Sequence, residues 1–421
     1  MNDQLTDVAE AYRVFARREA RGRSAEYEWL AESVADDPAV VGFIASLPPD
    51  KRQPNFVFAA ARYLLGVLPG SQQLRDLVRR SRPELTHVIL TRRMQTNEPA
   101  RCAVLLPALA QLPQPLALIE AGASAGLTLL FDRYSYDYAG HRLAGGDPDA
   151  PTLRCEPRGP VPLPTRIPVI TWRAGLDLNP LDVTSEDDVR WLSCLVWPGE
   201  GDRGPRLEAA IGAARRDPPA VHRGDLLSDL PALAAQAPAG ATLVIYHSST
   251  LYYVAPDRRE QFAQAVRSLG AVWLSSEAPG ILPGTAAPAP DEQMSVIARD
   301  GRAIAFADSH GAWLQWLSAL PALTSRRRAP NRTMGVTGPD ESHESQRQAP
   351  DGSGSGGVRS WRRRTSMTCT PNAWNLARSP FRAPGSRKGP CRTVSTGSTE
   401  ALSRSKSSRA SGGRSPVTRI S

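Results

Sequence analysis

The chain has 421 residues, 41% hydrophobic and 22% charged, an ordinary globular balance with room for two or three domains. Its net charge of +9 is unevenly spread: residues 325–421 hold 19 Lys and Arg against 5 Asp and Glu, and residues 1–324 hold 32 against 37. The body is therefore mildly acidic, which argues against a nucleic-acid-binding face.

Residues 1–112 read as a helical N-terminal domain. Apolar residues recur at helical spacing around Tyr12, Val14 and Phe15, around Tyr27, Trp29 and Leu30, and from Phe56 to Leu65, with prolines at 48, 49, 54, 69 and 83 between them. A further helix is expected over residues 99–112, and no strand before Leu116. The N-terminus MNDQLTDVAEAYRVF is acidic and lacks the apolar run of a signal peptide. The longest apolar candidate, residues 116–130, is interrupted by Glu120 and by small residues, so no membrane span is expected and a cytoplasmic location is.

From residue 113 to 324 the pattern changes to short apolar runs alternating with helical stretches. Strands are expected at 116–120, 168–172, around Val221, at 241–246 and at 271–275, with helices at 187–196, 206–215 and 257–269. That alternation implies an α/β fold with a Rossmann-like, mostly parallel sheet. Residues 293–299 and 302–307 flank Asp300-Gly301, the pair that suits a type I′ turn, so a C-terminal antiparallel hairpin is expected. Residues 311–320 are expected to close the domain as a short Trp-bearing helix. After Thr324 the chain is rich in Arg, Ser, Gly and Pro, too poor in apolar residues for a core, and reads as a basic disordered or frame-shifted tail.

The residues with chemical potential cluster at expected strand ends. Glu120-Ala-Gly-Ala-Ser-Ala-Gly-Leu127 follows the first strand. Its small residues, Gly122, Ser124 and Gly126, let a backbone approach a ligand, and a helix is expected to start near Gly126 with its N–H groups facing that ligand. Asp177 and Asp225 follow the next two strands, and Tyr246-His247-Ser-Ser-Thr250 ends the fourth. In open α/β sheets such positions converge on the ligand crevice. Asn97, Glu98 and Arg101 are candidates to cover that crevice from the helical domain and clamp a substrate carboxylate; Asn97 also suits a helix cap. Trp191 and Trp197 read as core or lid aromatics, and Arg203 and Arg206 as solvated or paired charges. Cys102, Cys155, Cys194, Cys369 and Cys391 are scattered, and His222 and His310 lack ligand spacing, so neither a disulfide framework nor a metal site is expected.

Four blocks, TNEPAR (Thr96 to Arg101), EAGASAGL (from Glu120), GLDLNPLDV (from Gly175) and WLSCLVWP (Trp191 to Pro198), make residues 12–317 similar to a bacterial family of unknown function. The core of that family resembles class I S-adenosylmethionine-dependent methyltransferases. The resemblance implies S-adenosylmethionine as cofactor and an unknown methyl acceptor. It gives the cofactor's amino-acid part to Glu120, Gly122, Ser124 and Gly126, its ribose to Asp177 and its adenine region to Asp225. His247 and Tyr246 would orient the acceptor or take its proton. Two features depart from the methyltransferase pattern. Ser124 replaces the middle glycine of the loop, and Asp177 lies 57 residues after Glu120, whereas the usual spacing is about 20. An insertion over residues 136–166 would fill the gap; otherwise Asp132 or Asp137 takes the ribose.

Three other readings compete. Gly122-Ala-Ser-Ala-Gly126 is formally the G-x-S-x-G of a serine hydrolase, with Asp291 or Asp308 and His310 completing Ser, Asp, His in chain order. Against it, no strands precede the turn and no oxyanion motif stands upstream. A non-catalytic nucleotide-type binding or interaction module is favoured by a fourth-strand end, HSST, without a proline-aromatic signature. An NAD enzyme lacks a second glycine fingerprint.

Overall fold

The computed structural model describes residues 2–282, 285 and 294–317. The basic tail expected from residue 325 and Asp291 lie outside the described residues. Among the described residues, seven α-helices precede the first strand: α1 (Asn2–Phe15), α2 (Ala25–Ala35), α3 (Pro38–Ala45), α4 (Pro54–Leu65), α5 (Ser71–Arg80), α6 (Arg82–Thr91) and α7 (Arg101–Leu109). Local chemistry sets their ends. Ser24 caps α2 by accepting from the Tyr27 amide. Asp37 caps α3 by accepting from the Ala39 and Val40 amides, with Pro38 at the first helical position. Tyr12, Phe15, Tyr27 and Phe58 pack edge to face, and Trp197 from beyond the sheet's second parallel strand joins them.

The strands are β1 (Leu116–Ala121), β2 (Ser135–Tyr138), β3 (His141–Leu143), β4 (Thr152–Arg154), β5 (Glu156–Arg158), β6 (Ile170–Asp177), β7 (Val221–Arg223), β8 (Thr242–Ser248), β9 (Val272–Glu277), β10 (Met294–Arg299), β11 (Arg302–Asp308) and β12 (Trp313–Trp316). Nine of them form one sheet in the order β5-β12-β11-β10-β9-β8-β1-β6-β7. From β7 to β9 the neighbours are parallel; β9-β10-β11-β12 are antiparallel, and β12-β5 is parallel again. Both faces of the parallel part are covered. Leu116, Leu118, Val244 and Tyr246 join a core shared with the N-terminal helices, while Ile119, Ala121, Ile245 and Trp273 face α10 (Leu230–Ala234) and α11 (Pro256–Ser268). Burial on both faces is why β1 reads LALIEA without a polar alternation. Helices α8 (Glu186–Leu195) and α9 (Arg203–Arg216) fall between β6 and β7.

The five expected parallel strands, the absence of a strand before Leu116 among the described residues, and the hairpin all correspond to observed elements. Asp300 and Gly301 have φ of 53° and 79°, the left-handed pair of a type I′ turn. Three expectations are corrected. No α-helix follows the glycine loop, only a single 3₁₀ turn at Leu127–Leu129. The chain is instead drawn into the three-stranded sheet β3-β2-β4. Tyr134 just before β2 and Tyr136 and Tyr138 on it all bury their rings, and their hydroxyls donate to the carbonyls of Leu127, Phe131 and Ala103. Residues 313–316 form β12, not a helix, and the segment pairs with both β11 and β5. Finally, β6 continues to Asp177, so that acid ends a strand and does not follow one.

Candidate functional site

The order β7-β6-β1-β8-β9 reverses direction in sequence between β1 and β8. The carboxyl ends of these strands carry Asp177 on β6, the glycine loop after β1, Ser248 on β8 and Glu277 on β9, with Asp225 two residues beyond β7. The fold thus brings the loop, Asp177 and Asp225 to one edge.

The loop is tightly built. Gly122 has φ of 76°, and a Cβ there would lie 2.4 Å from Thr250 Cγ2 and Oγ1. Gly175 in β6 is required because a Cβ there would lie 2.6 Å from Ala123 Cβ. Ser124 adopts φ of 54° without being glycine, a cost met by its amide donating to Asp177 Oδ2 at 2.8 Å and its hydroxyl to Gln95 O at 3.2 Å. The Gly122 amide donates to Leu176 O, that of Gly126 to Ala123 O, and that of Leu127 to Asn97 Oδ1 at 2.9 Å. Asn97 therefore staples the loop and does not cap α7. Asp177 also accepts from the Asn179 amide at 2.7 Å. Asp225 Oδ1 accepts from the amides of Leu227 and Ser228, and Oδ2 from Arg258 Nη2 at 2.6 Å. Burial raises this carboxyl's pKa, but those two amides and Arg258 outweigh burial and hold it below the usual range.

Glu120 lies beneath the loop, 1% exposed. Burial pushes its carboxyl up to about 8 against the pull of Thr128, Arg101 and Tyr246. Thr128 Oγ1 donates to Glu120 Oε1. Tyr246 Oη lies 2.9 Å from Thr128 O and 3.4 Å from Glu120 Oε2. Its single proton goes to the nearer carbonyl, so a protonated Glu120 can donate back to the phenol oxygen.

His247 is fully buried. Trp273 Nε1 stands 3.0 Å from its Nε2, and Glu277 Oε1 2.7 Å from its Nδ1. An indole N–H can only donate, so Nε2 accepts and the ring proton sits on Nδ1, facing Glu277. Both nitrogens are occupied, and Tyr246 is equally enclosed. The polar atoms of both are engaged within the protein, which leaves neither ring nitrogen of His247 free for the acceptor role expected of it. Glu277 Oε1 also accepts from the amides of Thr250 and Leu251, while Glu277 Oε2 is buried with no hydrogen-bond partner among the described residues.

The remaining expected residues divide. Glu98 is buried and accepts from Arg203 Nε and Arg206 Nε, each at 2.8 Å. Burial would raise its pKa, yet those two guanidiniums hold it below the usual range. Arg101 is buried, donating to Ser309 O at 3.1 Å and Ser248 O at 3.3 Å, and makes no ion pair among the described residues. Ser124 has no histidine partner, Asp308 Oδ1 accepts from backbone amides, and His310 Nδ1 faces Ser309 Oγ, so no Ser-His-Asp relay forms among them. Asp132 is held bidentately by Arg173, and Asp137 accepts from Gly140 and Arg142, so neither takes the place of Asp177. Glu277 and Gln95 were not expected, nor was Glu98 as the partner of Arg203 and Arg206, which were expected as solvated or paired charges and are paired. The signal for Glu277 was an acid closing an apolar strand, as Glu120 does; Gln95 has no signal in the sequence.

A family model described as "Uncharacterized protein conserved in bacteria (DUF2332)" matches residues 9–68 and 69–316, well over half of the chain. The chain belongs to the DUF2332 family. No curated protein and no solved structure matches it. Among the described residues of this DUF2332 protein, no helix is long and apolar enough to cross a membrane, and no cluster of three or more His, Cys, Asp or Glu suits a metal ion.

Proposed function

We propose that this DUF2332 protein is a Rossmann-like, methyltransferase-type domain that takes S-adenosylmethionine in the crevice outside β1 and β8. One observation carries the reading. The strand order reverses between β1 and β8, where open α/β sheets bind ligands, and the glycine loop, Asp177 and Asp225 follow one another along that edge. The fit is better at the nucleoside end. An ionised carboxylate has about four acceptor positions, and Asp177 spends one on Ser124, one on Asn179 and a long one on Gln95, which leaves room for a ribose hydroxyl. Leu178 and Tyr253, 60% and 58% exposed, supply apolar surface for a flat ring. The amino-acid end fits poorly, since Asn97 and Leu176 consume loop amides and Glu120 is enclosed. When bound, the cofactor would supply an electrophilic methyl group; the chain's own part is to hold the acceptor in line and exclude water.

A second reading, a nucleotide-type binding module without turnover, is favoured by that stapled loop. Calorimetric titration of the full chain with S-adenosylmethionine, its demethylated product, adenosine and NAD separates the two, with Asp177→Asn and Asp225→Asn as controls. Micromolar binding of the methyl donor, weakened in both variants, supports the first. Binding of adenosine alone supports the second. No heat with any of them from a folded protein sinks both.

A further inference from the structure

A second cleft opens on the hairpin side of the sheet. It has a volume of about 760 Å³, within the usual range for small-ligand sites. It lies between the turn that follows β11, the β2–β3 turn and the start of α9, and Arg101 donates both to Ser309 O in the first of these turns and to Ser248 O at the end of β8.

Its charged lining is graded by burial: Arg203 is buried and Arg206 half-buried, whereas Glu156 and Asp202 are exposed. The inner side is arginine-rich. Glu98 receives Arg203 and Arg206, and Glu200 receives Arg23 and Arg203, so three guanidiniums stand against two carboxylates. Arg206 spends only its Nε on Glu98. The imidazole of His310 sits in this field. Burial, then Arg203, Arg101, Arg23 and Arg206, push its pKa well below the usual histidine range, which leaves it neutral at physiological pH. The outer side is acidic. Glu156, Asp202 and Asp308 line it, and among the described residues none of the three makes an ion pair; Glu156 and Asp202 are exposed. Arg154, also at the rim, is set against Asp137.

We propose that this cleft is a binding site for a small zwitterion of the amino-acid type. Its carboxylate meets Arg206 and neutral His310 on the inner side, and its cationic end meets Glu156 and Asp202 on the outer side. The physical reason is complementarity. A surplus of buried positive charge favours an anion, and a guanidinium suits a carboxylate. A rim of unpaired carboxylates disfavours a dianion and favours a ligand whose far end is positive. The site does not depend on what the β1–β8 crevice binds.

The test uses the full chain and simple probes: 4-aminobutyrate and 6-aminohexanoate as zwitterions, succinate as a dianion and 1,4-diaminobutane as a dication. Binding is read by saturation-transfer NMR and by thermal shift. The expected result is that a zwitterion binds better than succinate and the diamine does not bind. Arg206→Gln should weaken zwitterion binding by about tenfold or more. If that variant disturbs the Glu98 cluster, the paired change Glu156→Gln with Asp202→Asn, at exposed unpaired positions, still decides the matter. It should weaken the zwitterion and strengthen succinate. Failure of all four probes to bind, preference for the diamine, or an unchanged order of preference in the paired variant overturns the proposal.

Discussion

Replacing Glu120 by Gln should leave the protein folded and flatten its stability between mildly acidic and mildly basic pH. The buried carboxyl stands at about 8 in the folded protein against an ordinary value of 4.5. In that window the native state holds a proton that the unfolded chain has lost, so stability falls as pH rises, by at most about 1.4 kcal/mol per pH unit. The stabilisation is complete below about 4.5 and gone above about 8, a loss on the order of 5 kcal/mol against a typical total of about 5–15. Gln keeps the hydrogen bonds of the neutral acid: its carbonyl accepts from Thr128 Oγ1 and its amide donates to Tyr246 Oη, the 2.9 Å bond from Tyr246 to Thr128 O being undisturbed. Urea unfolding of both proteins, followed by tryptophan fluorescence from about pH 5 to about pH 9, measures the difference. Parallel pH profiles would refute the assignment of a protonated Glu120. A variant unfolded at every pH would refute the hydrogen-bond scheme.

Three further outcomes are expected. Gly122→Ala should lose about 1–2 kcal/mol to left-handed backbone and about 1–3 more to the clash with Thr250; adding Thr250→Ala should recover the second part, and an additive cycle would show that the contact is not what limits the loop. Glu98→Gln should cost at most about 3–5 kcal/mol by leaving half-buried Arg206 without a carboxylate and buried Arg203 with Glu200 alone. In the unaltered protein, because the pKa of Glu98 is lowered, that stabilisation is present above the ordinary carboxylate range and is lost as pH falls below it. An acid-unfolding midpoint identical in the two proteins would count against it. Trp273→Phe should cost about 1–2 kcal/mol and release His247 Nε2, visible as a changed tautomer pattern in ¹⁵N-resolved imidazole NMR; an unaltered pattern would show that the indole does not set the tautomer.

The parallel strands were legible because burial on both faces leaves uninterrupted apolar runs such as LALIEA, and the hairpin because Asp300-Gly301 has one conformational use. The glycine loop's position was legible for the same reason. The segment just beyond that loop was not. RYSYDY has a period of two, yet the expectation of a helix after a glycine loop overrode that period. Trp313 to Trp316 failed similarly, since a four-residue strand has too few turns of either periodicity to separate it from a helix. At the site, strand ends located Asp177 and Asp225, but partners were invisible. Glu98 and Arg203 meet across 105 residues, and His247 is taken out of use by an indole 26 residues away. Sequence places a side chain on an edge; only packing decides whether its polar atoms face a ligand or a neighbour.

The outermost pair of the large sheet joins Glu156 to Trp313, with Pro157, which has no amide hydrogen to give, at the margin. Residues 156–158 therefore leave the ribosome long before the strand that covers them. During synthesis the growing chain carries an incomplete sheet whose margin at β11 stays open until residue 316 emerges. Such distant pairing is slow to form and leaves unpaired backbone available to other chains. A shortened product ending before residue 313 would be prone to self-association, although every residue of the β1–β8 crevice named above is already in it.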